Sequence, residues 1–213
     1  SPNIVKEALS MTITADVSGK MIGGCLAQGG REYEIISGTQ PKNAKVDIPS
    51  LSKIIEQQTM TIPSFSNYDG QFPGSAQKGR IEGPIPANQK ERHALAVLYT
   101  ALLTVTCANT LGLDRDLILD GSYLRDPVFA QIVAKLCSNR KIYCDTEIYG
   151  IASGAALLCS HDKIFAKLNE IIFSKEFFYF FIKFFFFKNA MNQNNFLRKI
   201  RYLRYPILDN NNN

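Results

Sequence analysis

Asp120-Gly121-Ser122-Tyr123-Leu124-Arg125-Asp126-Pro127 is the stretch on which the reading of this chain turns. It follows the run Asp116-Leu117-Ile118-Leu119, which reads as a short buried strand. It precedes an apolar segment, 126–136, that reads as a helix with Asp126 as N-cap and Pro127 at its first position. A strand that ends in a glycine turn just before a helix offers backbone N–H groups and a helix dipole to an anion such as a phosphate. Gly121 would let the backbone approach that ligand without a Cβ, Ser122 offers a hydroxyl, and Arg125 has the reach for a phosphate or a base. Taken alone, the glycine is more simply read as a conformational need of the turn.

Working outward, the pattern from residue 89 is α/β alternation. The run 89–111 is apolar nearly all round, as a helix buried between other elements would be, and Gly112 suits its C-terminal cap. After the 126–136 helix come a strand at 141–144 and a helix at 146–159, whose Gly150, Ala152, Ser153, Gly154, Ala155 and Ala156 allow close packing. That order implies parallel strands joined by crossovers, hence an α/β fold. Upstream, 11–17 and 20–28 read as two strands around a turn at 16–20, and 31–37 as a third short strand. A helix is expected from Pro49 to Gln58 with Ser50 as N-cap. The Gly-, Pro- and Ser-rich run 63–86 reads as a long loop with one short strand near 79–83.

In combination these segments resemble the C-terminal lobe of the FGGY carbohydrate kinase family. The similarity rests on the 117–134 run with Gln131 near the middle of its helix, and on the later Gly154-Ala155-Ala156. Gly79-Arg80-Ile81-Glu82-Gly83 with the helix after it is similar to the family's second signature, which Pro84 and Ala94 interrupt. The run 21–33, ending Gly29-Gly30-Arg31-Glu32-Tyr33, is similar to one subgroup.

The resemblance covers roughly 11–160 and implies an actin-like, ribonuclease-H-like ATPase lobe, a mixed sheet with flanking helices. It implies ATP with Mg²⁺ as cofactor, bound by Gly121, Ser122, Arg125 and Gly154. Asp120 stands where most members have the first glycine of a pair, which puts a carboxylate near an anionic ligand unless a cation intervenes. In the family the first phosphate loop, the sugar contacts and the general base lie on an N-terminal lobe, so no catalytic base is carried onto this chain. The expectation is a truncated lobe, inactive alone, that meets its sugar substrate only beside a separately encoded N-terminal lobe. The alternative is a non-catalytic remnant or interaction module of the same fold that binds no nucleotide.

Composition bounds the rest. The 213 residues are 46% apolar and 20% charged, enough for one cored domain and an appendage. The net charge of +5 lies wholly from Ala166 onward, where eight Lys/Arg face three Asp/Glu, so 1–165 is neutral and nucleic acid is not an expected partner. Ten of the fourteen Phe also fall there, before four closing Asn, and the domain is drawn at 1–165 with a low-complexity tail, outside the fold, at 166–213. Charges at Glu176 and Lys183 interrupt its apolar run, which argues against a membrane span. Five cysteines without a C-x-x-C pair, and no leader pattern, predict a cytoplasmic protein. Two histidines, His93 and His161, give a metal site little to build from, and His93 reads as a core or boundary residue. Arg31-Glu32 reads as an ion pair or a substrate contact, and Asp16, Asp69, Asp114 and Asp120 as turn and cap residues.

Overall fold

The computed structural model describes residues 9–38, 44–112, 115–145, 154 and 168–170. Strands β1 (Met11–Ala15) and β2 (Met21–Cys25) form an antiparallel hairpin with Met11 opposite Cys25 and Ala15 opposite Met21. Asp16 closes its turn by accepting from the N–H groups of Ser18 and Lys20, both at 2.9 Å. The expected third strand is a helix instead, α1 (Gly29–Ser37). A strand would have put Arg31, Tyr33, Ile35 and Ser37 on one face, yet Ile35 is 45% exposed while Glu32 and Ile36, four apart, are buried. The period is that of a helix packed on its neighbour, which overrides a short β-like composition.

Helix α2 (Ile48–Glu56) begins two residues before Ser50, and its N-cap is Asp47. Asp47 accepts from the Ser50 N–H at 3.0 Å and from its hydroxyl at 2.7 Å, so the serine supports the cap without being it. Strands β3 (Met60–Ile62) and β4 (Arg80–Glu82) pair antiparallel, with the loop between them tied by Asp69, which accepts from the N–H groups of Gly74 (2.8 Å) and Ala76 (2.7 Å).

Helix α3 (Gln89–Thr110) is the axis of the domain, packed by α1, α2 and α4 (Pro127–Leu136). This explains its lack of a polar face: His93 to Thr100 are buried without a break. At 22 residues it is also long and apolar enough to cross a membrane, but most of it is buried inside the protein, as core helices are. Its first turn is closed by Asn88, which caps the Glu91 N–H at 3.0 Å, and by Glu91, which returns to the Ala87 N–H at 2.8 Å. Gly112, at φ 66°, ends it.

The third sheet has the order β5-β6-β7. Strands β5 (Leu117–Leu119) and β6 (Ile142–Asp145) are parallel, joined through α4, and β7 (Leu168–Glu170) runs antiparallel to β6. Two expectations change here. Strand β5 is not buried throughout: Leu119 is buried while Ile118 is 60% exposed. The sheet also takes in three residues beyond the boundary drawn at 165. The rest of the expected 146–159 helix, Gly154 apart, and the tail from 171 onward lie outside the described residues.

Candidate functional site

The turn after β5 differs from the expected form in one respect. Gly121 is followed by a 3₁₀ turn, Ser122–Arg125, and α4 begins only at Pro127. Gly121 has φ 107°, a conformation that a side chain resists, while a Cβ built there would meet nothing within 4 Å. Its glycine is therefore demanded by the backbone, and among the described residues the space in front of it is open. Asp120, Gly121, Ser122 and Arg125 are all exposed on this one segment. Gly154 is helical and exposed, with no described residue within 4 Å of a built Cβ, and its neighbours Ala155 and Ala156 lie outside the described residues.

The N-terminus of α4 is not open to an anion, because Asp126 already fills it. One carboxylate oxygen accepts from the Val128 N–H at 3.0 Å and the other from the Val46 N–H at 2.6 Å. His93 Nε2 stands 3.5 Å from the second oxygen. Burial alone would raise the Asp126 pKa, but His93 and the two N–H donors outweigh it and hold the carboxyl below the ordinary aspartate range. An anion at this turn would therefore meet Gly121 to Arg125 rather than the α4 dipole.

His93 joins three elements. Its Nδ1 is 2.8 Å from the Tyr33 hydroxyl on α1, and Asp126 faces its other nitrogen from α4. Tyr33 packs edge-on against Tyr123 at 5.7 Å, and Tyr123 lies 5.3 Å from Phe129. Tyr123 thus turns into an aromatic cluster, where burial pushes its hydroxyl up to about 12. Burial likewise raises the Cys107 thiol to about 12, and Cys25 and Cys144 upward.

Two buried polar side chains were not singled out from sequence in this role. Glu32 points inward: its oxygens accept from the Tyr99 hydroxyl at 2.5 Å and the Ser66 N–H at 3.1 Å, while Arg31 is exposed on another face of α1. Of the two readings of Arg31-Glu32, the ion pair is replaced by Glu32 contacts across the core. Gln71, 3% exposed, bonds the carbonyls of Leu9 and Leu26 through Nε2. No local signal marks either residue, since their partners lie 34 to 67 positions away. Asp114 and His161 lie outside the described residues.

Comparison with known proteins adds an independent line. The family model "Carbohydrate kinase FGGY, C-terminal domain" matches residues 3–167. Among solved structures, the chain is similar to a carbohydrate kinase from Novosphingobium aromaticivorans, with a TM-score of 0.64 and 22% identity. That likeness, a likeness of fold, covers 78% of this chain and 36% of the kinase, so the chain spans about a third of that protein's length. No curated protein matches the sequence.

Proposed function

The chain belongs to the C-terminal domain family of FGGY carbohydrate kinases, and on that premise we propose that it supplies the nucleotide-binding wall of an ATP-dependent carbohydrate kinase. In this reading the domain is an actin-like ATPase lobe of 1–165, extended by β7, and ATP phosphates lie against the turn at Gly121 and Ser122 with Arg125 beside them. The observation that carries the assignment is the family match over 3–167, and the exposed turn with its open space at Gly121 supports the location. Gly154 is the proposed contact from the segment that follows β6.

Asp120 fits a Mg²⁺ better than it fits a bare phosphate. Magnesium is commonly held by one or two carboxylates together with substrate phosphates, and an exposed aspartate beside the turn offers that donor. The metal would supply charge neutralisation at the phosphates, while the chain's own part is to orient the nucleotide and present Arg125 to it. Phosphoryl transfer also needs a facing wall that brings the sugar hydroxyl into line, so activity is proposed only together with an N-terminal lobe. The unbridged thiols of Cys25, Cys107 and Cys144 suit a cytoplasmic setting.

A second reading, a domain of this fold that binds no nucleotide, draws on Asp126: it has already satisfied the α4 N-terminus, and Asp120 adds a second carboxylate nearby. Calorimetry with Mg²⁺ and ATP separates the two. The first reading expects saturable heat at millimolar nucleotide or below, weakened by Arg125→Ala. An absence of heat at millimolar nucleotide leaves only the second.

A further inference from the structure

The chain contains two Asp-Gly bonds, Asp69-Gly70 and Asp120-Gly121, and no Asn-Gly bond. Asp-Gly is the dipeptide at which an aspartate closes most readily on its own backbone, because glycine puts no Cβ beside the attacking nitrogen. That nitrogen adds to the aspartate Cγ, the carboxyl loses its hydroxyl as water, and a five-membered succinimide forms. Water then reopens the ring at either carbonyl. One opening returns aspartate, and the other gives isoaspartate, in which the backbone runs through Cβ. No oxidant or other reagent is consumed, so the surroundings of each bond decide which one reacts.

The fold treats the two bonds oppositely. At Asp69 one carboxylate oxygen accepts from the Gly74 N–H at 2.8 Å and the other from the Ala76 N–H at 2.7 Å. These bonds hold the carboxyl below the ordinary aspartate range, and an ionised carboxylate has no hydroxyl to lose. The backbone is tied as well. The Asp69 carbonyl accepts from the Phe72 N–H at 3.0 Å and the Ser64 hydroxyl at 3.2 Å, and the Gly70 carbonyl accepts from the Ser10 hydroxyl at 2.6 Å. Ring closure there has to break the carboxylate bonds and turn a pinned peptide.

Asp120 meets none of these restraints. Both Asp120 and Gly121 are exposed, and among the described residues neither the Asp120 carboxylate nor the Gly121 N–H has a hydrogen-bond partner. The turn is tied beyond the bond, where the Gly121 carbonyl accepts from the Leu124 N–H at 3.1 Å. A Cβ built on Gly121 meets no described residue within 4 Å, so the ring has room to form.

We infer that Asp120-Gly121 is the chain's site of spontaneous aspartate isomerisation, and that the fold protects Asp69-Gly70 from the same reaction. The inference stands apart from nucleotide binding. Its product adds one carbon to the backbone just before Gly121 and displaces the turn 121–125 relative to β5.

The test is peptide mapping of the full chain after warm storage at mildly acidic pH, once folded and once in urea. In the folded chain the tryptic peptide 116–125 is expected to split into a second peak of unchanged mass, with electron-transfer fragments that place isoaspartate at 120. The peptide 54–78 should stay single, its reaction at Asp69 at least about tenfold slower because two charge-assisted bonds must break first. In urea both peptides should split at similar rates. Asp120→Glu, which needs a six-membered ring, should abolish the second peak. Asp120→Asn, which expels ammonia in place of water, should bring it sooner and with the mass change of one deamidation. An unsplit 116–125 peptide overturns the inference. So does equal splitting of both peptides in the folded chain, or a 54–78 peptide that stays single in urea, which would make its protection local rather than a product of the fold.

Discussion

Asp120 to Arg125 and Asp126 with its contacts are adjacent in the chain and opposite in physics. The first segment is exposed, and its defining residue, Gly121, is required by backbone conformation in open space. Asp126, the next residue, is 6% exposed and joins α4 to Val46, eighty positions upstream, and to His93 on α3. The difference separates two jobs that a strand-to-helix junction can combine in one place. Here the helix N-terminus is spent on holding the domain together, and the preceding turn is left available for a ligand.

The largest expected effect lies on the buried side. Asp126→Ala removes the α4 cap, orphans the Val46 N–H and leaves His93 without its acid, which should cost roughly 2–4 kcal/mol in urea unfolding. A loss below about 1 kcal/mol would break the contrast, since surface substitutions lie in that range.

Acid follows. The folded carboxyl of Asp126 lies below its ordinary value, as do those of Glu91, held by Lys53 and the Ala87 N–H, and Asp69, held by the Gly74 and Ala76 N–H groups. A depressed pKa contributes stability that is present above the unfolded value of about 4 and is lost as pH falls through the folded value. Thermal unfolding should therefore be level from neutral pH to about 5 and decline below about 4, with a shallower decline in Asp126→Asn.

On the exposed side, Gly121→Ala should cost about 1–2 kcal/mol, all of it from the positive φ, because the added methyl meets no neighbour. Chemical denaturation measures it, and a larger loss would mean the turn is packed after all. The smallest stability effect belongs to Arg125→Ala, expected within about 0.5 kcal/mol of the parent. The same variant should weaken nucleotide binding by roughly tenfold if a charge-assisted bond to phosphate is lost, so unchanged calorimetry would remove Arg125 from the proposed site.

Much of the fold was legible where a local rule acts over a few residues. The hairpin turn at Asp16, the Gly112 cap, the short strand β4 and the Asp126-Pro127 start of α4 were each read from neighbouring side chains. Reading failed where the deciding contact is distant. Residues 31–37 have a composition that a short strand or a helix can share, and packing on α3 chose the helix. Asp47 outcompeted Ser50 as a cap because α2 starts earlier than its proline suggests. The site divides the same way: Gly121, Ser122 and Arg125 stand out in sequence, whereas nothing near Glu32 or Gln71 announces a buried acceptor.

By itself, then, the sequence of residues 120–127 determined where a strand ends, why a glycine must follow and which aspartate caps the next helix, because caps and turns are satisfied within a few bonds. Only the tertiary structure decided that this aspartate also holds Val46 and faces His93, and that the helix dipole is thereby occupied. Those choices depend on burial, which pairs residues by position in space and leaves no periodic trace in the chain.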